Sequence, residues 1–311
     1  MLILLLISAA HGQVFQHFPV NVYGDGNPAN GVEDSREQLF GGPQRPLGSV
    51  GQPISSGTIK CDGKIRGTAM VVDTSEYSMD LQGAVIITAA HVIYDLGSKK
   101  RFRRCMFNYL ALAELSAYRA RIDLKNVKMG SFNPARATNE LGFGEGDWAF
   151  LHIPKPWKSF NPGELISLRE FSSLKMEPFQ QQGGELSLIA FDSTANAISV
   201  SKNCMVIESS VNDLGGGSWK GQLLDDCDSG GGASGGGLVA RIAGKSYLIG
   251  IRSGSHWSEQ VFPAVQYPAG PPDGAIWDRH TNTNFGRAID AHLLRALTEY
   301  VRFLESEYAS L

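Results

Sequence analysis

The 311-residue chain carries 28 basic against 31 acidic side chains, a formal net charge of −3, with 42% hydrophobic and 19% charged residues. That balance excludes wholesale disorder and offers no electrostatic argument for nucleic acid or an anionic membrane as partner. Glycine supplies 36 residues, about 12% against a usual ~7%; the glycines follow no period of three, so collagen is excluded and the excess asks for turns or backbone at positive φ.

Leu2 to Ala10 is apolar apart from Ser8. It is too short to span a bilayer and has the length of a signal-peptide core, which makes residues 1–12 a signal peptide. No Lys or Arg precedes the run, so the start lies further upstream or the run is simply an apolar N-terminus. Nothing later approaches ~18 apolar residues, so a secreted or periplasmic protein without membrane contact once processed is expected. Residues 13–55 are rich in Gly, Pro, Asn and Gln and read as an N-terminal extension or pro-region without a core of its own.

Short apolar runs bounded by turn residues follow: Gly67–Val72, Ala84–Ala90, Trp148–Ile153, Leu186–Phe191, Met205–Ile207, Gly237–Ile242 and Tyr247–Ile251. They predict an all-β sandwich or barrel. Helical periodicity is clear at the C-terminus, where Leu293, Leu294, Leu297, Val301 and Leu304 make one stripe behind Asp290 as N-cap. Ala111–Ala120 is a shorter helix candidate. Cys61, Cys105, Cys204 and Cys227 fall two to each half of the chain. Export favours disulfides, and Cys61–Cys105 with Cys204–Cys227 closes each loop within one half. The alternative is four reduced, buried thiols. No C-x-x-C occurs, no metal-ligand cluster is visible, and no cofactor is implied.

Two cheap motifs are set aside. Gly230–Gly235 fits G-x-G-x-x-G but lacks the strand–turn–helix context of a dinucleotide site. Lys99–Arg104 is a basic run whose plain reading is a solvated loop.

Three segments share one chemistry. Ile86-Ile87-Thr88-Ala89-Ala90-His91 is a strand that ends in small residues and delivers an accessible imidazole, as a general base requires. Gly146-Asp147-Trp148-Ala149-Phe150-Leu151 puts an aspartate at the head of a strand, where it could fix that imidazole's tautomer. Asp226 to Val239 sets Ser234 among glycines, in a loop whose N–H groups can converge on an oxyanion.

The segments TAAH, GDWAFL and GASGGGLV resemble the catalytic signatures of trypsin-like serine endopeptidases of the chymotrypsin fold, over about Gly57 to Leu304. Cys227-Asp228-Ser229 ahead of the serine is similar to the bacterial-type branch that includes glutamyl endopeptidases. The resemblance implies two six-stranded β-barrels, at 56–165 and 166–288, with a C-terminal helix at 289–311. It implies His91 as base, Asp147 as its orienting acid, Ser234 as nucleophile, and the N–H groups of Gly232 and Ser234 as oxyanion donors. Ser234 is preferred to Ser229 because an apolar strand, Leu238-Val239-Ala240, follows it at the required spacing. Substrates are then proteins or peptides, acted on by a monomer. Asp228, Arg252 and Ser253 fall at substrate-binding positions; Arg252 stands where glutamyl endopeptidases have a histidine, and either selects acidic residues or merely pairs with Asp228. His256 reads as a surface histidine near the rim, and His152 as outward-facing. Two departures stand out. Ala233 replaces the aspartate that pairs with a freed N-terminus in animal enzymes, and Gly237 replaces the usual proline.

Two other readings compete. A protease-fold protein could bind without cutting. Gly232-Ala233-Ser234-Gly235-Gly236 also satisfies the G-x-S-x-G elbow of α/β-hydrolases, but the alternating helices that fold requires are missing from the pattern.

Overall fold

A computed structural model describes residues 13–14, 23–24, 36–38 and, from 55 to 308, all but 79–80, 110–117, 136–143, 155–164, 175–178, 180–183, 210–220, 259, 264, 267–271 and 273. The expected signal peptide, residues 1–12, lies outside the described residues. The described chain is all-β with one long C-terminal helix.

The first sheet is built from β1 (Ser56–Cys61), β2 (Lys64–Val71), β3 (Ala84–Thr88), β4 (Cys105–Tyr109), β5 (Tyr118–Arg121), β6 (Asp123–Met129) and β7 (Ala149–Ile153). Its order is β5-β4-β1-β2-β3-β7-β6. Only Ile122 separates β5 from β6, and its N–H bonds to Cys105 O at 3.0 Å. One bent strand therefore pairs with β4 on one side and β7 on the other, closing a barrel of six strands.

The second sheet repeats the device with β8 (Glu185–Asp192), β9 (Ala197–Lys202), β10 (Val206–Glu208), β11 (Gln222–Asp225), β12 (Gly237–Ile242), β13 (Lys245–Ser258) and β14 (Asn282–Ala288). The order is β10-β11-β14-β13-β12-β8-β9. Here β9 and β10 are halves of one run bent at Asn203–Met205, with the Cys204 N–H on Leu186 O at 3.0 Å. Each disulfide sits beside a bend: Cys61–Cys105 joins facing residues of β1 and β4, and Cys204–Cys227 ties the second bend to the end of β11. They join positions 44 and 23 apart in the chain. On the chain-entropy account each is worth about 3–4 kcal/mol.

One apolar core fills the first barrel and continues through Ile189, Val239, Leu248 and Ile251 of the second. A separate cluster, including Leu186, Leu188, Leu223, Leu238 and Ile249, fills the second barrel. The helix α1 (Ala291–Tyr308) follows the second barrel but packs on the first. Leu293, Leu297, Val301 and Leu304 are buried, Leu294 is half-buried, and the Tyr300 ring stacks on Phe150. The Asp290 carboxylate accepts the Leu293 N–H at 2.9 Å, the expected cap. No helix among the described residues is long and apolar enough to cross a membrane.

Two expectations change. Tyr118–Arg121, overlapping the end of the candidate helix at 111–120, is a strand, because barrel closure needs its backbone; 111–117 lie outside the described residues. Within the expected N-terminal extension, Gln13–Val14 pairs with the end of β13, Tyr23–Gly24 with Ala275–Ile276, and Arg36–Gln38 with β9. His152 does not face outward. It is fully buried, with Nε2 2.8 Å from Gln82 O and its ring against Tyr308.

Candidate active site

The strand β3 is buried along its length, and a single 3₁₀ turn, Ala90–Ile93, carries His91 off its end. Ala89 and Ala90 are small enough for the chain to turn inside the protein. Asp147 stands just before β7, in a turn closed by its N–H on Gly144 O at 3.1 Å. Both of its carboxylate oxygens face His91. Oδ1 accepts the His91 main-chain N–H at 2.9 Å, and Oδ2 lies 2.8 Å from Nδ1. A carboxylate is only an acceptor, so the ring proton belongs on Nδ1 and Nε2 carries the lone pair.

Ser234 comes from the other barrel. Its loop turns at Gly232 (φ 92°) and Gly235 (φ 81°), left-handed conformations that cost glycine little. The loop docks on the strands that deliver His91: Thr68 N–H donates to Ser234 O at 2.7 Å, and Thr68 Oγ1 donates to Gly232 O at 2.9 Å. Gly67 admits this approach, since a Cβ there would lie 2.5 Å from Ser234 O and 2.6 Å from a Val92 methyl. Ser234 is thereby brought against the residues flanking His91, and its hydroxyl donates to Ser253 O at 3.3 Å.

The neighbouring carbonyls are tied back. Gly231 O accepts from Ser193 N–H at 2.9 Å and Ala233 O from Gly236 N–H at 2.8 Å. In a trans peptide the N–H points opposite to the carbonyl, so Gly232 and Ser234 N–H are turned away from those anchors. Among the described residues neither N–H has a protein acceptor.

The remaining expected residues line the same end of the barrel. Asp228 is buried, with its N–H on Ser201 Oγ at 2.9 Å. Asn284 on β14 bridges Cys227 O (2.7 Å) and Ser255 Oγ (2.8 Å), which holds the Cys227–Asp228 segment to β13. Arg252 is 1% exposed and pairs with Asp225 at 2.5 Å, not with Asp228. Its Nε and Nη1 have no partner among the described residues. Ser253 is buried, its carbonyl on Ser234 and its hydroxyl unpartnered among the described residues. Gly237 opens β12, and a side chain there would press on the side-chain ends of Leu248 (2.7 Å) and of Met70 (3.0 Å) from the first barrel.

His256 is another correction: it is wholly buried on β13. Burial pushes its imidazole down from 6.5 to about 4, while burial, helped by Asp225 and Asp228, pushes the Asp226 carboxyl up from 3.8 to about 6. Between pH 4 and 6 the unfolded chain holds the histidine proton and not the aspartate proton, and the folded chain does the reverse. Each shift costs about 3 kcal/mol, the histidine's at the acid end of the window and the aspartate's at the other, so one cost replaces the other and their pH slopes cancel. Asp226→Asn should therefore make stability rise with pH by about 1.4 kcal/mol per unit over this window, and His256→Gln should make it fall as steeply. Urea midpoints across the window measure both slopes; parallel curves for all three proteins would refute the assignment.

Sequence reasoning missed two struts. Thr68 accepts Phe191 N–H at 2.8 Å while donating to Gly232 O, and so spans the barrels. Arg287 donates to Glu145 O, Gly221 O and Asp290, and holds the Asp147 loop to β14 and α1. Neither has a local signal, because the partners are far away in sequence. A cavity of about 490 Å³ lies behind this clamp, lined by Gly146, Trp148, Arg287 and His292. Another of about 820 Å³, lined by Arg101, Arg103, Arg121, Lys125 and Tyr308, receives part of the basic run. Neither includes His91 or Ser234. Among the described residues no three His, Cys, Asp or Glu side chains form a metal cluster.

No family model matches the chain, and no curated protein is similar to it. Solved structures are. A Glu endopeptidase in complex with MPD superposes with a TM-score of 0.53 at 13% identity, covering 90% of this chain and 99% of that one. Protease Anisep from Arthrobacter nicotinovorans superposes with a TM-score of 0.50 at 10% identity, covering 81% and 96%. The chain has the two-barrel fold of the chymotrypsin-like serine proteases.

Proposed function

We propose that the protein is a secreted serine endopeptidase that cleaves peptide bonds through an acyl-enzyme. The observation that carries this is the His91–Asp147 pair, with Oδ2 2.8 Å from Nδ1, in a two-barrel fold whose second barrel brings Ser234 alongside. Ser234 Oγ attacks the substrate carbonyl carbon as its proton passes to His91 Nε2. The oxyanion is held by the N–H groups of Gly232 and Ser234. Protonated His91 then gives its proton to the leaving amine, the C–N bond breaks, and an ester on Ser234 remains. Water, deprotonated by the same imidazole, hydrolyses that ester. In the resting state the Ser234 hydroxyl donates to Ser253 O, so one side-chain torsion must turn it toward the imidazole. The two disulfides and the apolar start of the chain support export.

A fluorophosphonate probe at neutral pH tests the reading. The wild type should be labelled and Ser234→Ala should not. Labelling that survives in the alanine variant would overturn the choice of serine, and a wild type that takes no label would favour a binding protein on the same fold.

A further inference from the structure

The direction of the Gly232 N–H is set from outside the serine loop. Ser193 N–H holds Gly231 O at 2.9 Å, and that carbonyl fixes the opposite face of the same peptide, the Gly232 N–H. Ser193 is itself fixed in a turn built on Asp192, whose Oδ1 accepts Thr194 N–H at 2.8 Å and Thr194 Oγ1 at 2.6 Å. The other oxygen of Asp192 receives Arg36 Nη1 at 3.0 Å. Gly230 packs directly on this pair: a Cβ there would sit 3.0 Å from Asp192 Cγ and 3.3 Å from Arg36 Nη1. Arg36 belongs to the extension strand Arg36–Gln38, which is held on β9 with Arg36 opposite Ser201 and Gln38 opposite Ser199.

Asp192 is 3% exposed, so its charge needs a cation. The serine loop supplies none, since Asp226 to Val239 contains no Lys or Arg. The cation arrives instead on a strand 156 residues upstream of Asp192. We propose that Arg36 is a positioning residue for the oxyanion donor Gly232, and that the N-terminal extension is thus a working part of the catalytic barrel. The inference rests on the hydrolase reading of the Ser234 site. Without Arg36 the Asp192 turn is left with an uncompensated buried carboxylate and relaxes, Gly231 O loses its anchor, and the Gly232 N–H swings off the reacting oxygen. Removing an oxyanion donor outright costs about 10²–10³ in rate, so a misaimed one should cost on the order of 10-fold.

The test uses the full chain with Arg36→Met and Arg36→Lys. In Arg36→Met, kcat on a peptide substrate should fall about 10-fold with KM nearly unchanged, and affinity for a peptide boronic acid should fall by the same factor. Arg36→Lys, which restores the charge without the fork, should recover part of both. Amide exchange of the Ala233–Gly236 segment should quicken in Arg36→Met, a readout that needs no catalysis. Unchanged kcat with unchanged exchange would overturn the proposal, as would a kcat loss matched by an equal rise in KM. If Arg36→Met does not fold, Asp192→Ala, which takes away both the oxygen that fixes Thr194 and the one that receives Arg36, serves instead and should show the same kcat loss. A wild type that takes no probe, with exchange still quickened in Arg36→Met, would refute the hydrolase reading and leave the clamp standing.

Discussion

An Asp147→Asn variant should fold as the wild type does, keep its KM, and lose about 10⁴ in kcat. The two carboxylate oxygens have separate tasks. Oδ1 accepts the His91 main-chain N–H at 2.9 Å, and Oδ2 lies 2.8 Å from Nδ1. Asparagine can keep its single oxygen on the main-chain N–H, so the turn that carries His91 survives. Its NH₂ then faces Nδ1, and two donors cannot meet there. The ring must move its proton to Nε2, and the lone pair that should take the Ser234 proton is gone. Steady-state kinetics beside an unfolding curve make the measurement. A loss under tenfold with the fold intact would mean that Asp147 does not set the tautomer and that the proposed mechanism is wrong.

How much of this was legible depended on what each segment buries. Apolar runs such as Ala84–Thr88 and Gly237–Ile242 face protein on both sides and read directly as strands. The same holds for the stripe Leu293 to Leu304, whose period matches α1. Asn282–Ala288 escaped notice although every residue is buried, because polar side chains such as Asn284 and Arg287 are satisfied by distant carbonyls rather than by apolar packing. Asp123–Met129 was hidden as well: it is only half-buried, and polar side chains of the strand meet α1 through a hydrogen bond and an ion pair, as in Tyr308–Asp123 and Lys128–Glu299. Pairings such as Arg36 with Asp192 leave no periodic trace in either segment. The segments carrying His91, Asp147 and Ser234 were legible because each couples an unusual side chain to a strand end or a run of glycines. Ten of the 36 glycines lie between Gly215 and Gly237, so most of the compositional excess belongs to the approach to Ser234.

Replacing Arg252 by methionine should destabilise the protein by about 3–5 kcal/mol, more than any surface change, while the double replacement Arg252→Met with Asp225→Leu should recover most of that loss. Arg252 and Asp225 sit on β13 and β11, with β14 between them, and both are almost fully enclosed. Burial pushes the Asp225 carboxyl up against the pull of the Arg252 guanidinium. The pair is incompletely satisfied, since Asp225 Oδ2 and Arg252 Nε and Nη1 find no acceptor or donor among the described residues. Such a pair gains little over apolar packing when whole, yet leaves a costly buried charge when halved. Because Arg252 N–H donates to Gly236 O at 2.9 Å and its carbonyl accepts Gly235 N–H at 2.8 Å, its backbone also anchors the loop of Ser234. The main-chain bonds survive both replacements, so the double variant should regain activity on neutral peptides along with stability. Guanidinium unfolding of the wild type, both single variants and the double variant closes the cycle. A single Arg252→Met variant as stable as the double one would mean that Asp225 takes up a proton once Arg252 is gone, so that no buried charge is left behind.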